Sequence, residues 1–245
     1  MNIDTSSLLH TRLAPPVLRG WPRVQAQWVN YIKRAALRQL HASNAGERLL
    51  LRIYLIGEQA TEIALQRELV TEPPDWLVRQ MDQHLAEEQE HVRAFGAALA
   101  ERGEINVTQH HAQPDWLSRR KIAQWHTIAH RYEASFASGL LVPAFAIGLC
   151  AEQMATRVLE RHLQWLNQQP ESDPLQPLLV RVLADEGRHV QLCSDTLARL
   201  LEPHEQPAFS KMLAEIRAID RSWSVTGAIG LLLMGLALRL LPQRS

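Results

Sequence analysis

Cysteine is scarce in this chain. Only Cys150 and Cys193 occur among 245 residues. Two cysteines do not form the disulfide framework of a secreted protein, so we expect a reducing, cytoplasmic compartment. The first twenty residues contain no basic stretch followed by an apolar run, so no signal peptide is expected either.

An excess of charge of either sign is also missing. Lys plus Arg and Asp plus Glu both number 26, which gives a formal net charge of zero. A nucleic-acid partner normally requires a basic surface, so this balance argues against one. The most apolar segment, residues 225–241, is uncharged over residues 225–238, which is shorter than the roughly 20 residues that a membrane-spanning helix needs.

Helix-forming residues are abundant. Ala, Leu, Gln, Arg and Glu dominate, and apolar residues recur at spacings of three and four, whereas alternating strand patterns are absent. We therefore predict an all-α protein. Residues 1–43 form an N-terminal lead and helix, residues 44–203 the main helical domain, and residues 204–245 a C-terminal extension. A long helix that ends near Gln169 is expected to break or kink at Pro143.

Two segments of the chain are repeated. Residues 57–69, GEQATEIALQREL, align without gaps on residues 151–163, AEQMATRVLERHL. Residues 85–100, LAEEQEHVRAFGAALA, align likewise on residues 183–198, LADEGRHVQLCSDTLA. Because each half contains two helices joined by a turn, the repeat predicts a helical hairpin used twice, that is, a four-helix bundle.

The repeated segments carry acids and histidines at a metal-ligand spacing. Residues i and i+3 of a helix lie on one side, about 4.5 Å apart along the axis, so an acid and a histidine at this spacing reach one metal ion together. Each half has one such pair and one further glutamate on the preceding helix. Two Glu and two Glu-x-x-His motifs are the ligand set of a di-iron or di-manganese carboxylate centre. The predicted ligands are Glu58, Glu88, His91, Glu152, Glu186 and His189.

Residues beside the predicted ligands also have candidate roles. Glu62, one turn after Glu58, is an alternative ligand. Asp185 is placed to accept a hydrogen bond from a ligand histidine of the opposing hairpin, which would fix the tautomer of that histidine. Arg188 is placed to balance the charge of the nearby carboxylates. Glu87 and Glu90 are expected to point away from the site. Tyr54, Cys150 and His84 are candidate substrate or redox neighbours, although plain core packing explains such residues equally well.

With this set of acids and histidines, the chain resembles the ferritin-like di-iron superfamily over about residues 44–200. The resemblance is carried by Glu58, Glu152 and the stretches EEQEH (87–91) and DEGRH (185–189). The second stretch is similar to the Asp-Glu-x-Arg-His signature of oxygen-activating members such as soluble desaturases and bacterial multicomponent monooxygenases. In layout, with Gly57 before Glu58, the chain is most similar to the demethoxyubiquinone hydroxylases. It departs from them in its N-terminal lead and C-terminal extension.

The resemblance implies a monooxygenase or hydroxylase. Its cofactor would be two iron ions, or a manganese and an iron, with O2 as co-substrate and a small, lipophilic organic molecule as substrate. An external electron donor of the reductase or ferredoxin type is implied because the chain has no flavin, nicotinamide or rubredoxin motif. The alternatives are an iron-handling or peroxide-scavenging protein, a di-iron tRNA hydroxylase, and a helical interaction protein with a structural metal.

The apolar run at residues 225–241 allows three interpretations. It packs on the main domain, it forms a subunit contact in a homodimer, or it inserts into one face of a membrane. Packing within the protein or its oligomer is favoured, and Gly227, Gly230 and Gly235 would allow a close helix contact. A peripheral membrane location would fit a lipophilic substrate.

Overall fold

The computed structural model describes residues 13–68, 73–104, 116–170 and 173–240. Within these ranges the chain is all-helical and contains no strand, as the sequence predicts. Seven α-helices make up the described chain: α1 Trp21–Leu40, α2 Asn44–Ile63, α3 Asp75–Glu101, α4 Trp116–Tyr132, α5 Leu141–Leu166, α6 Gln176–Leu200 and α7 Gln206–Leu240. A π-helical turn, Ala64–Glu68, continues α2.

Local signals fix where the helices begin. The Ser43 side chain accepts a hydrogen bond from the backbone N–H of Gly46 (3.1 Å), so it caps α2. The break before α5 lies at residues 133–140 and not at Pro143, so the predicted kink is wrong. Pro143 instead lies in the first turn of α5, where its missing N–H costs nothing because first-turn N–H groups have no partner within the helix.

Helices pack in three close pairs: α2 with α3, α5 with α6, and α1 with α7. Two apolar clusters form the core, and the candidate site lies between them. On α3, Leu77 belongs to one cluster and Phe95 to the other; on α6, Val182 and Cys193 belong to the two clusters in reverse order. Burial of each large apolar side chain contributes about 1.5–3 kcal/mol, so the polar residues between the clusters lie in a strongly stabilised frame.

The first and last helices run side by side in the same direction. Lys33 donates a hydrogen bond to Ser224 (2.9 Å), and farther along both helices Arg239 donates to Gln39 (3.2 Å). At Gly235 an added Cβ would lie 2.9 Å from Cβ of Gln39, so this glycine allows the close contact that the sequence predicts.

The C-terminal half of α7 is largely exposed. The helical stretch Pro203–Leu240 is long and apolar enough to cross a membrane by length and composition, and 11% of its most apolar window is buried. At Gly227 and Gly230 an added Cβ would meet nothing within 4 Å, so neither takes part in the close helix contact that the sequence predicts for them. These features are compatible with a soluble protein and with a membrane-peripheral one.

Candidate metal centre

The six predicted ligands converge between the two apolar clusters. All six are buried, and Glu88 and His91 are fully shielded from solvent. They come from α2, α3, α5 and α6, and within the described residues they form, together with His84, two groups of four that could each hold a metal ion. In each group one ligand atom per residue lies within 4.8 Å of the others. Glu88 belongs to both groups and therefore lies between the two candidate positions.

The first group contains Glu58, Glu88, His91 and Glu186. Nδ1 of His91 lies 3.5 Å from Oε2 of Glu58 and 4.0 Å from Oε1 of Glu186. The other oxygen of Glu186 lies 3.7 Å from Nδ1 of His189, in the second group. The Glu186 carboxylate therefore lies close to both histidines.

The second group contains Glu88, Glu152, His189 and also His84. Nδ1 of His189 lies 3.1 Å from Oε1 of Glu88. Nε2 of His84 lies 3.1 Å from the same oxygen and 3.6 Å from Oε1 of Glu152. His84 is thus a candidate ligand in its own right and more than a neighbour of the site.

Each inward-facing histidine is held on its outer side by a carboxylate. Nε2 of His91 lies 3.0 Å from Oδ2 of Asp185, which is the contact expected from the sequence. Nε2 of His189 lies 2.9 Å from Oε2 of Glu87. Arg188 donates to both outer carboxylates, Asp185 and Glu87. These contacts leave Nδ1 of both histidines directed at the centre, an arrangement that orients a ligand and raises its basicity.

Burial and mutual proximity shift the pKa values of three of the glutamates in different directions. Burial opposes ionisation of Glu88, but the adjacent imidazoles of His189 and His84 prevail and hold its pKa below the ordinary value. Burial, reinforced by the negative charge of Glu88, raises the pKa of Glu58 to about 8. Burial and the nearby Glu152 raise the pKa of Glu186 well above its ordinary value. Such a spread is typical of carboxylates that share one site.

The pKa values of two histidines of the centre are raised. Burial lowers the pKa of His84, but Glu152 and Glu88 more than offset this and raise it to about 9. His91 behaves in the same way, because Glu58 outweighs burial and raises its pKa to about 9. Without a metal, the centre therefore holds protons where a cation would otherwise balance the acids.

Four of the donor atoms that face the centre have no hydrogen-bond partner among the described residues. They are buried, and unpaired buried polar atoms are costly and rare. The unpartnered atoms are Nδ1 of His91, Nδ1 of His189, Oε2 of Glu88 and Oε2 of Glu186. Four carboxylates converge here, and two divalent cations would balance their charge. The residues present therefore fit a pair of metal ions, and carboxylate and imidazole donors suit iron and manganese.

The remaining predicted neighbours lie away from the two groups. Glu62 accepts a hydrogen bond from Gln66 (3.0 Å) and belongs to neither group, so Glu58 takes the place for which Glu62 was the alternative. Tyr54 is buried; its hydroxyl lies 2.8 Å from Nδ1 of His162, and burial raises its pKa. Cys150 is buried in the apolar core, and burial raises its pKa to about 12. At Gly187 an added Cβ would meet nothing within 4 Å, so no neighbouring atom explains this glycine.

An apolar cavity of about 360 Å³ borders the second group. His84 and Glu152 form part of its wall. Most of the remaining wall is apolar and includes Met81, Ile122, Phe145 and Ile147, together with Gly148 and Cys193. This volume and lining are typical of a pocket for a small organic ligand.

Two residues have roles other than the predicted ones. His84, predicted as a substrate or redox neighbour, belongs to a candidate ligand group, and the prediction that Glu87 points away from the site is wrong because Glu87 contacts His189. The sequence contains a signal for both roles. His84 precedes Glu88 by four residues, which places both on one helix face. Glu87 aligns with Asp185 in the internal repeat, so the outer partner assigned to one half had a counterpart in the other. Glu90 does point away as expected, and it pairs at the surface with Arg181 (3.0 Å).

No family model, curated protein or solved structure matches the chain. The resemblance noted above therefore rests on the residues themselves. A helical protein with buried Glu and His groups that could bind a metal is compatible with a ferritin-like di-iron fold.

Proposed function

We propose that the chain is an oxygen-activating oxidoreductase of the ferritin-like di-iron type, with α2, α3, α5 and α6 as its four-helix bundle. The substrate is a small lipophilic organic molecule. Bound iron supplies the two electrons that O2 needs to transfer one oxygen atom to the substrate and release the other as water, and an external donor restores them.

One observation carries this proposal: two groups of buried ligands share Glu88, and one of them borders an apolar cavity. A structural metal site needs no such cavity and is normally closed by its ligands. An apolar molecule bound in the cavity beside His84 and Glu152 would lie next to one candidate metal position. Apolar walls also exclude water, which protects an oxidation from side reactions.

The residues of this chain have distinct tasks. Asp185 and Glu87 accept the Nε2 protons of His91 and His189, so Nδ1 of each ring keeps its lone pair for a metal. Arg188 links these two carboxylates and holds them in register. Glu58 and Glu186 take up protons more readily than ordinary glutamates, so they are suited to hold protons when the charge of the centre changes.

The test combines metal content with product formation. We would load the protein with ferrous iron, supply a ferredoxin and its reductase, and follow ¹⁸O₂ incorporation into small aromatic and aliphatic lipophilic compounds. We expect two irons per chain and labelled product. Glu88→Gln should abolish both, whereas Glu90→Gln should change neither, because Glu90 is an exposed acid of the same helix that pairs only with Arg181 among described residues.

Other outcomes discriminate against the proposal. Oxygen consumption without labelled product, accompanied by many irons per chain, would indicate iron storage. Metal binding that survives redox cycling without oxygen consumption would indicate a structural site. Absence of metal above background in protein that remains folded would overturn the centre itself.

A further inference from the structure

A second cavity, of about 520 Å³, lies between α1, α5 and α7 and is separate from the candidate metal centre. Five basic side chains line it: Arg23, Lys33, Arg157, Arg161 and Arg221. Asp220 is the one acid among its described lining residues. Five cations and one acid in one cavity contrast with the zero net charge of the whole chain. We refer to it as the basic cavity.

The basic residues of this cavity lack acidic partners. Lys33 donates to the hydroxyl of Ser224 (2.9 Å), and Arg161 donates to the amide oxygen of Asn30 (2.7 Å). Asp220 pairs with Lys121 (2.9 Å). Among described residues none of the five lining cations forms an ion pair with a carboxylate, and the single negative charge of Asp220 offsets only part of their combined charge.

The crowding of like charges is visible in two of these groups. Burial, together with the positive charges of Arg161 and Arg157, lowers the pKa of Lys33 to about 8. Burial lowers the pKa of Arg161, and Arg157 adds to the effect. Cations that are partly buried and unpaired destabilise a fold unless an anion compensates them. The site is therefore arranged so that a bound anion would relieve the repulsion.

We propose that the basic cavity binds a phosphate group. Guanidinium groups donate in a planar fork that matches phosphate oxygens, and several arginines around one cavity favour a multiply charged anion. The volume exceeds that of a bare phosphate, and Met154 and Val158 add apolar wall. A phosphate ester with an organic body fits this combination better than a free inorganic ion.

The phosphate ester could belong to a lipid headgroup or to a soluble metabolite, and the surface around the cavity bears on which of the two it is. On α1, Trp21, Val24, Trp28 and Tyr31 are exposed and recur at helical spacing, so they form one apolar stripe. On α7, Ile229, Leu233, Leu236 and Leu240 form a second exposed stripe. Exposed aromatic and aliphatic stripes beside cationic groups suit the interface of an anionic bilayer. The ester is then a lipid headgroup; otherwise it is a soluble metabolite.

The test uses the full-length, metal-loaded chain and two probes. Calorimetry with glycerol 3-phosphate measures binding of a soluble phosphate ester. Co-sedimentation with vesicles of phosphatidylglycerol, against phosphatidylcholine vesicles, measures binding of a lipid headgroup. Arg157→Gln and Arg221→Gln remove exposed cavity cations for which the described structure shows no ion pair, so both variants should fold. Arg79→Gln, an exposed arginine on α3 far from the cavity in the chain, removes the same charge as a control.

We expect each cavity variant to weaken binding of its probe by about tenfold or more, and Arg79→Gln to leave it unchanged. If the unaltered protein binds glycerol 3-phosphate but not the vesicles, and the cavity variants lose that binding, the ligand is a soluble ester. If the unaltered protein binds phosphatidylglycerol vesicles and the cavity variants lose that binding, the ligand is a lipid headgroup. The proposal is overturned if neither probe binds, or if the cavity variants and the control behave alike. Metal content should stay unchanged throughout, so this result does not depend on the oxidoreductase proposal.

Discussion

The two hairpins, α2–α3 and α5–α6, agree at the candidate metal centre and differ beside it. In the first, Tyr54 and Phe95 are buried with ring centroids 5.3 Å apart. The internal repeat places Gly148 and Cys193 at the equivalent positions of the second. An aromatic pair is thus replaced by two small residues, and both small residues line the apolar cavity.

The difference shows how a repeated unit becomes asymmetric. Glutamates and histidines that face the centre recur because each candidate metal group draws its ligands from both halves. The residues one turn away are free to change, and a loss of side-chain volume in one half opens a pocket there. His84 reinforces the asymmetry, because its counterpart in the second hairpin is Val182. The two candidate metal positions are therefore inequivalent, and only the second borders the cavity.

The largest expected effect is the loss of both metals from Glu88→Gln. Glu88 belongs to both groups, whereas Glu58 belongs only to the first and Glu152 only to the second. Glu58→Gln and Glu152→Gln should therefore each weaken one position and spare the other. Metal analysis and a stepwise Co(II) titration would measure this. If Glu88→Gln retained one full equivalent, the shared position of Glu88 would be wrong.

The second prediction concerns packing in the two halves. Phe95→Ala should destabilise the protein by about 3–5 kcal/mol, because a fully buried aromatic leaves a cavity in the first hairpin. Cys193→Ala, at the equivalent position, should cost about 1 kcal/mol, because little volume is lost beside an existing cavity. Urea unfolding of the metal-free proteins measures both. Equal losses would contradict the claimed difference in packing.

The third prediction separates the outer carboxylates. Glu87 holds His189 and Asp185 holds His91, so each carboxylate supports the histidine of the other hairpin. Glu87→Gln should weaken metal binding at the second position, and Asp185→Asn at the first, each by about 10–100-fold. The stepwise titration identifies which of the two transitions moves. A uniform effect on both transitions would mean that Arg188 couples the pair.

The smallest predicted effect concerns His162, the partner of Tyr54. Burial and the charge of His41 lower the pKa of His162 to about 3, so the folded protein keeps the ring neutral. The unfolded chain takes up a proton below about pH 6.5. This group therefore loses stability as the pH falls below that value, by about 1.4 kcal/mol per pH unit. Between pH 6.5 and 5.5 the His162→Gln variant should lose about 1 kcal/mol less stability in urea unfolding, because the unfolded ring is already half protonated at pH 6.5. Parallel pH profiles for both proteins would refute the assignment.

Sequence periodicity and the internal repeat were enough to predict the helical fold class and to choose six residues that the structure brings together. They missed Glu87 because the helical periodicity of α3 alone places it beside the ligand motif and not within it. The contact of Glu87 with His189 becomes visible only when the position of α6 is known. They placed the break at Pro143 because proline was judged without knowing where the helix begins. The cavity depends on volumes at Gly148 and Cys193, which hydrophobic periodicity does not encode.

The pairing of α1 with α7 has a consequence for the order of folding. Lys33 and Ser224 are 191 residues apart in the chain, whereas each hairpin joins neighbouring helices. Closing so long a loop costs more entropy than forming a hairpin, and long-range contacts slow folding. During synthesis, α1 is made before the other described helices and its partner α7 after them. The face of α1 that contacts α7, at Lys33 and Gln39, therefore stays uncovered until α7 is made, so the late stage of folding is where this chain is most exposed to aggregation.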